Sequence, residues 1–195
     1  MKNGMVALVA LAGLASGASA TNTWMVDISY SNGGNAILAP GDTATVTLWA
    51  AFDDNLYAFA GSALGVNTDD ANGSWSDIAR DLKGPGTADG VANGGNVSGI
   101  ITGQLHFPLA GIFADTSNPI KAWHGTFSTS DFSFRTVNLS TASSKFDVYT
   151  DDKGTSKSFL DGLVEGAGGI NVGVPTPGTA ALLGLGALAT GRRRR

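Results

Sequence analysis

The densest set of oxygen donors in the chain is Asp69-Asp70-Ala71-Asn72-Gly73, with Asp77 close behind. Carboxylates and amide carbonyls crowded into a turn are what a calcium ion takes, so Asp69, Asp70 and Asn72 are candidate calcium ligands. The EF-hand pattern does not fit. Gly73 at its sixth position puts Thr68 first and Ala79 last, where a bidentate Glu belongs. The competing reading is an acidic surface loop whose Asp and Asn side chains bond their own backbone. Asp53-Asp54-Asn55 and Asp151-Asp152-Lys153-Gly154 read as exposed turns of that kind. A second chemistry is stacking: an indole face packs against the CH groups of a sugar ring much as it stacks elsewhere. Trp75, in the polar stretch Gly73-Ser74-Trp75-Ser76, and Trp49, on a threonine-lined strand face, are the candidates, with a buried plug as the structural alternative for Trp75. Trp24 and Trp123 are assigned to the core.

Acid–base chemistry has little to draw on. The two histidines, His106 and His124, both fall in strand patterns and read as ordinary strand residues. No G-x-S-x-G elbow is present, and the single glutamate, Glu165, lies outside the strands, so a pair for glycoside hydrolysis would have to be built from aspartates. The absence of cysteine removes disulfides, thiolate nucleophiles and Cys-ligated metals. The expectation is a protein without catalytic residues and without a required cofactor, a glycan-acting hydrolase being the residual alternative.

These residues must be held by strands. Charged residues are 14% of the chain and glycines number 28 of 195, a composition of turns and extended segments rather than of coiled coils or disordered polyelectrolytes. Trp24, Val26, Ile28 and Tyr30 alternate with polar neighbours, the period-two pattern of a half-buried strand. A second strand runs from Thr43 to Trp49 after the turn Ala39-Pro40-Gly41-Asp42. Further strands are predicted over 57–66, 97–107, 119–128, 132–139 and 145–149, with a bulge near Arg135, a helical turn within 72–82 and a flexible glycine-rich linker over 166–173. The architecture expected is an all-β antiparallel sandwich spanning residues 21–165. Thr21 to Gly173 carries seven basic residues against all sixteen acidic ones, a formal −9 that disfavours nucleic acid and anionic lipid.

The two ends carry address-like patterns. Residues 1–20 join Lys2, a small apolar run from Met5 to Leu14 and the sequence Ala18-Ser19-Ala20, the three parts of a secretory signal peptide cut by signal peptidase after Ala20. Residues 174–195 join Val174-Pro175-Thr176-Pro177-Gly178, an apolar stretch ending at Gly191, and Arg192, Arg193, Arg194 and Arg195. The apolar stretch is short for a permanent span, and the arginines fit the cytoplasmic side. The three Asn-x-Ser sequons, at Asn72, Asn96 and Asn138, read as idle.

This tail resembles the PEP-CTERM sorting signal of bacterial exported proteins, with Thr176 where that family most often has Glu. The resemblance implies recognition by an exosortase, a membrane-embedded cysteine transpeptidase that removes the apolar helix and passes the protein to the cell surface or extracellular matrix. It also implies a setting of exopolysaccharide production. A sortase signal would want L-P-x-T-G, a GPI signal would end in its apolar tail, and an uncut tail anchor is the plain alternative. The Pro-Gly-Asp turn and its Thr/Val strand are similar to the strand entry of cohesin-like and Ig-like bacterial domains of jelly-roll type. The expected function is structural or adhesive display outside the cell, the alternative a carbohydrate-binding module, calcium-assisted in one form.

Overall fold

The computed structural model describes residues 22–174. Its strands are β1 (Thr23–Tyr30), β2 (Ala44–Ala51), β3 (Ala58–Thr68), β4 (Gly73–Arg80), β5 (Val91–Asn93), β6 (Asn96–Gly103), β7 (Ile120–Thr129), β8 (Arg135–Tyr149), β9 (Ser156–Ser158) and β10 (Ala167–Val172). The helical content of the described residues is one 3-10 turn at Pro108–Ala110. Two antiparallel sheets form, ordered β1-β2-β7-β4 and β10-β8-β3-β6-β5, with β9 paired to β8. The all-β sandwich expected from alternation is the architecture found.

The layers meet because each strand puts its apolar set on one face. In β2, Ala44, Val46, Leu48 and Ala50 are buried while Thr45, Thr47 and Trp49 face outward. Phe59 and Val66 of β3, with Val137, Phe146 and Val148 of β8, answer them from the other sheet. Trp24 stands edge-on to Phe59 and Phe146, with ring centres 6.0 and 5.5 Å apart. Trp123 contacts Trp75 edge-on at 5.8 Å. Every buried indole N–H has a partner: Trp24 donates to Ser143 Oγ at 2.9 Å, Trp75 to the Gly95 carbonyl at 2.8 Å and Trp123 to the Asp89 carbonyl at 2.9 Å. Gly125 lies beneath two of these rings. A Cβ there would come within 2.6 Å of Trp123 and 3.1 Å of Trp75.

Three expectations are corrected. Residues 72–82 hold no helical turn: Gly73–Arg80 is β4, paired to β7. A register shift between Ser76 and Ala79, with Asp77 at φ 48°, interrupts the alternation that would have marked the strand. Gly166–Gly173 is no linker. Its core is β10, registered against Thr136–Ser140 of β8, so the folded domain runs past residue 165. The glycines there answer close approach rather than flexibility, since a Cβ at Gly168 would sit 3.1 Å from Val26 and 3.2 Å from Ile28. Finally, 132–139 and 145–149 are one strand, β8. Its inward phase passes from Val137, Leu139 and Thr141 to Phe146 and Val148 through an extra residue at Ser144, rather than at Arg135.

The register fixes two ends. Thr23 pairs with Ala51, Ala50 with Ile120, Ala58 with Tyr149 and Gly61 with Gly103, so the loops after β2, β6 and β8 gather where the chain enters. Tyr30, Thr68, Gly73, Thr129, Arg135 and Val172 meet at the opposite end, where the chain leaves toward Val174.

Candidate functional site

The outer face of the four-stranded sheet gathers the most varied polar chemistry. Cross-strand rows run Met25–Trp49, then Asp27–Thr47–His124–Ala79, then Ser29–Thr45–Thr126–Ser76. Ser74 and Ser128 close the field with their hydroxyls 2.9 Å apart. Trp49 is half-buried in this face. β7 turns both Ala122 and Trp123 inward, an irregularity matched by a register shift at Leu48/Trp49. As a result Lys121 and His124, three positions apart, both point outward.

Asp81, the residue after β4, organises the two cations. Its backbone N–H donates to the Ala122 carbonyl at 2.9 Å. One carboxylate oxygen lies 3.1 Å from Lys121 Nζ and the other 2.9 Å from His124 Nδ1. With Nδ1 engaged by Asp81, the His124 ring lies on the face beside the Lys121 ammonium, a donor. An indole, an ammonium, an imidazole and rows of hydroxyls on one sheet face can stack one sugar ring and hydrogen-bond its neighbours.

Trp75 is not available for stacking. It is 8% exposed and lies between the sheets on β4, against Trp123 and against Phe127 at 5.2 Å. The stretch looked like a polar loop because Ser74 and Ser76 are the outward residues of a strand whose inward residue is the indole.

The acidic turn does not converge. Asp69 accepts from the backbone N–H and side-chain amide of Asn138 at 2.8 and 2.6 Å. Asp70, its side chain 3% exposed, accepts from the Asn72 backbone at 2.9 Å and pairs with Arg135 Nη2 at 2.8 Å. The two carboxylates address different partners, the cation between the loops is a guanidinium, and Asn72 contributes a backbone N–H. Arg135 continues to Thr129 Oγ1 at 3.2 Å and to the Asp131 carboxylate at 3.1 Å, tying the loops at the C-terminal end. Among the described residues, no group of three or more His, Asp or Glu side chains is placed to hold a metal.

The remaining acidic turns are self-bonded. Asp53 accepts from the Asn55 backbone and side chain. The Thr155 and Lys153 backbone N–H groups hold the Asp151 carboxyl below its ordinary range. Glu165 accepts from Thr141 Oγ1 and from the Ser143 backbone, fastening the approach to β10.

His106 is no free base. It is 4% exposed; its Nδ1 accepts from the Ala114 N–H at 3.1 Å and its Nε2 donates to the Asp152 carbonyl at 3.0 Å. The Asp81–His124–Lys121 cluster was not legible in sequence, because only the β4–β7 register brings Asp81 within reach of residues 40 positions away. Ala18, Ala20, Pro175, Thr176, Pro177, Gly178 and Arg192 to Arg195 lie outside the described residues; Val174 is their exposed neighbour. No known family model matches this chain, and a search of curated proteins finds no match to it.

Proposed function

We propose that the chain is an exported, non-enzymatic protein carried to the cell surface or extracellular matrix, where its β-sandwich acts as a structural or adhesive unit. Signal peptidase removes residues 1–20. An exosortase-type transpeptidase then acts at Val174-Pro175-Thr176-Pro177-Gly178, while the apolar segment and Arg192 to Arg195 hold the tail transiently in the membrane. The observation that carries this reading is the order of those three parts: proline motif, short apolar stretch and arginine cluster. The fold supports it, since β10, the last strand of the described residues, leads the chain to Val174 at one end of the sandwich. Cohesin-like or Ig-like kinship of the jelly-roll type belongs to this proposal as its finer fold assignment. The test is a precursor with Pro175 and Pro177 replaced by Ala, expressed in native cells: it should accumulate uncut in the membrane fraction. Normal release of that variant would contradict the assignment.

A second reading is favoured by the face around Trp49, where an indole, hydroxyl rows and the Asp81–His124–Lys121 cluster share one surface. There the domain binds a polysaccharide, with exopolysaccharide as the natural class. Binding on a glycan array, lost in Trp49→Ala with the fold unchanged, supports this; indifference to Trp49→Ala removes it.

A further inference from the structure

The most apolar surface of the domain lies elsewhere. The loop after β6 exposes Leu109 by 94%, Phe113 by 67% and Phe107 by 50%, with Leu105 and Ile112 beside them. From Leu105 to Ala114 there is no Asp, Glu, Lys or Arg. The register puts this loop at the N-terminal end of the sandwich, opposite Val174.

Its backbone is closed on itself. The Phe107 N–H donates to the Ile112 carbonyl at 2.8 Å, the Ile112 N–H to the Phe107 carbonyl at 3.2 Å, the Ala110 N–H to Phe107 at 3.0 Å and the Gly111 N–H to Pro108 at 2.9 Å. Pro108 has no N–H to satisfy. The one polar side chain, His106, is folded inward: both ring nitrogens are bonded, and its backbone N–H donates to Tyr149 Oη at 3.0 Å. Four of the loop's backbone donors are bonded within it and its polar ring is hidden, which lowers the cost of moving its apolar side chains out of water.

We propose that the 105–113 loop is a wedge that inserts into a neutral lipid surface. Charge selects that occupant. The exposed side chains offer roughly 500 Å² of apolar surface, the size at which a monomer's largest patch is often functional. Asp115 follows the loop, and Asp151 and Asp152 lie on the turn that receives His106. Two copies meeting tip to tip would oppose these carboxylates, and anionic headgroups would repel them. Uncharged headgroups over acyl chains meet neither repulsion.

The chain has no cysteine, so Leu109→Cys gives the full-length protein a single site for an environment-sensitive fluorophore at the tip. Ala39→Cys, exposed at the opposite end, reports insertion of the tail. With phosphatidylcholine vesicles the label at 109 should shift to the blue and be quenched by spin-labelled lipid. Adding Phe113→Asp should lower that partition at least about tenfold, with the near-UV dichroism of the buried tryptophans unchanged, and doping with phosphatidylglycerol should weaken it. A label at 109 that stays in water, whether or not the label at 39 moves, overturns the proposal. So does a vesicle-independent blue shift that grows with protein concentration, which assigns the tip to a second copy, or binding strengthened by phosphatidylglycerol.

Discussion

The two ends of the sandwich are fastened by different means. At the C-terminal end Arg135 draws together Asp70, Thr129 and Asp131, so the β3–β4 and β7–β8 turns depend on one guanidinium. At the N-terminal end His106 joins the 107–113 loop to the turn after β8 through the Ala114 N–H and the Asp152 carbonyl, backbone groups rather than a carboxylate. The ion-paired end leads toward Val174, and the end joined through His106 carries the apolar loop.

The largest expected effect is at the ion-paired end. Arg135→Met leaves the Asp70 carboxylate buried without its cation, and urea unfolding should register a loss of about 3 kcal/mol. Asp70→Asn in the same chain should return part of that loss, as coupled partners do. An equal loss in the single and double variants would remove the ion pair as the cause.

At the N-terminal end, His106→Phe keeps a ring but unpairs one donor and one acceptor, a loss of about 1–2 kcal/mol. Hydrogen exchange should quicken at Ala114 while amides around Thr129 stay protected. Quickening at both ends would erase the contrast.

Acid should strain both ends alike. The Ser133 backbone and hydroxyl lower the Asp131 carboxyl, Asn32 lowers Asp42, Ser117 lowers Asp115 and Thr155 lowers Asp151. A folded pKa below the unfolded one gives stability that is fully present above the ordinary carboxylate range and is lost as pH falls through the folded value. Asp131→Asn and Asp151→Asn should each flatten the acid limb of a thermal-denaturation profile, and a steeper limb in either would reverse the sign argued here.

The smallest effect on stability belongs to the outer face. Trp49→Ala should keep the fold while abolishing whatever glycan binding that face supports, a split visible in paired melting and array measurements.

Much of the fold was legible because β1 and β2 alternate cleanly, and alternation is a local property of the chain. β4 was not, because its bulge at Asp77 breaks the period. β10 was not, because Gly166, Gly168 and Gly169 read as flexibility when they serve close packing against β1 and β8. The candidate face was half legible: Trp49 follows from the threonine phase of β2, while Asp81 meets Lys121 and His124 only through pairing between β4 and β7. Trp75 misled because flanking serines announce an outer face and say nothing of where the residue between them points.

The central claim, export followed by removal of the tail, is met most directly by intact mass and terminal peptides of the protein from native cells, taken from secreted, membrane and matrix fractions. The account predicts a species beginning at Thr21, lacking Gly178 to Arg195 and found outside the membrane. A chain that keeps Arg192 to Arg195 and stays in the membrane fraction would contradict it.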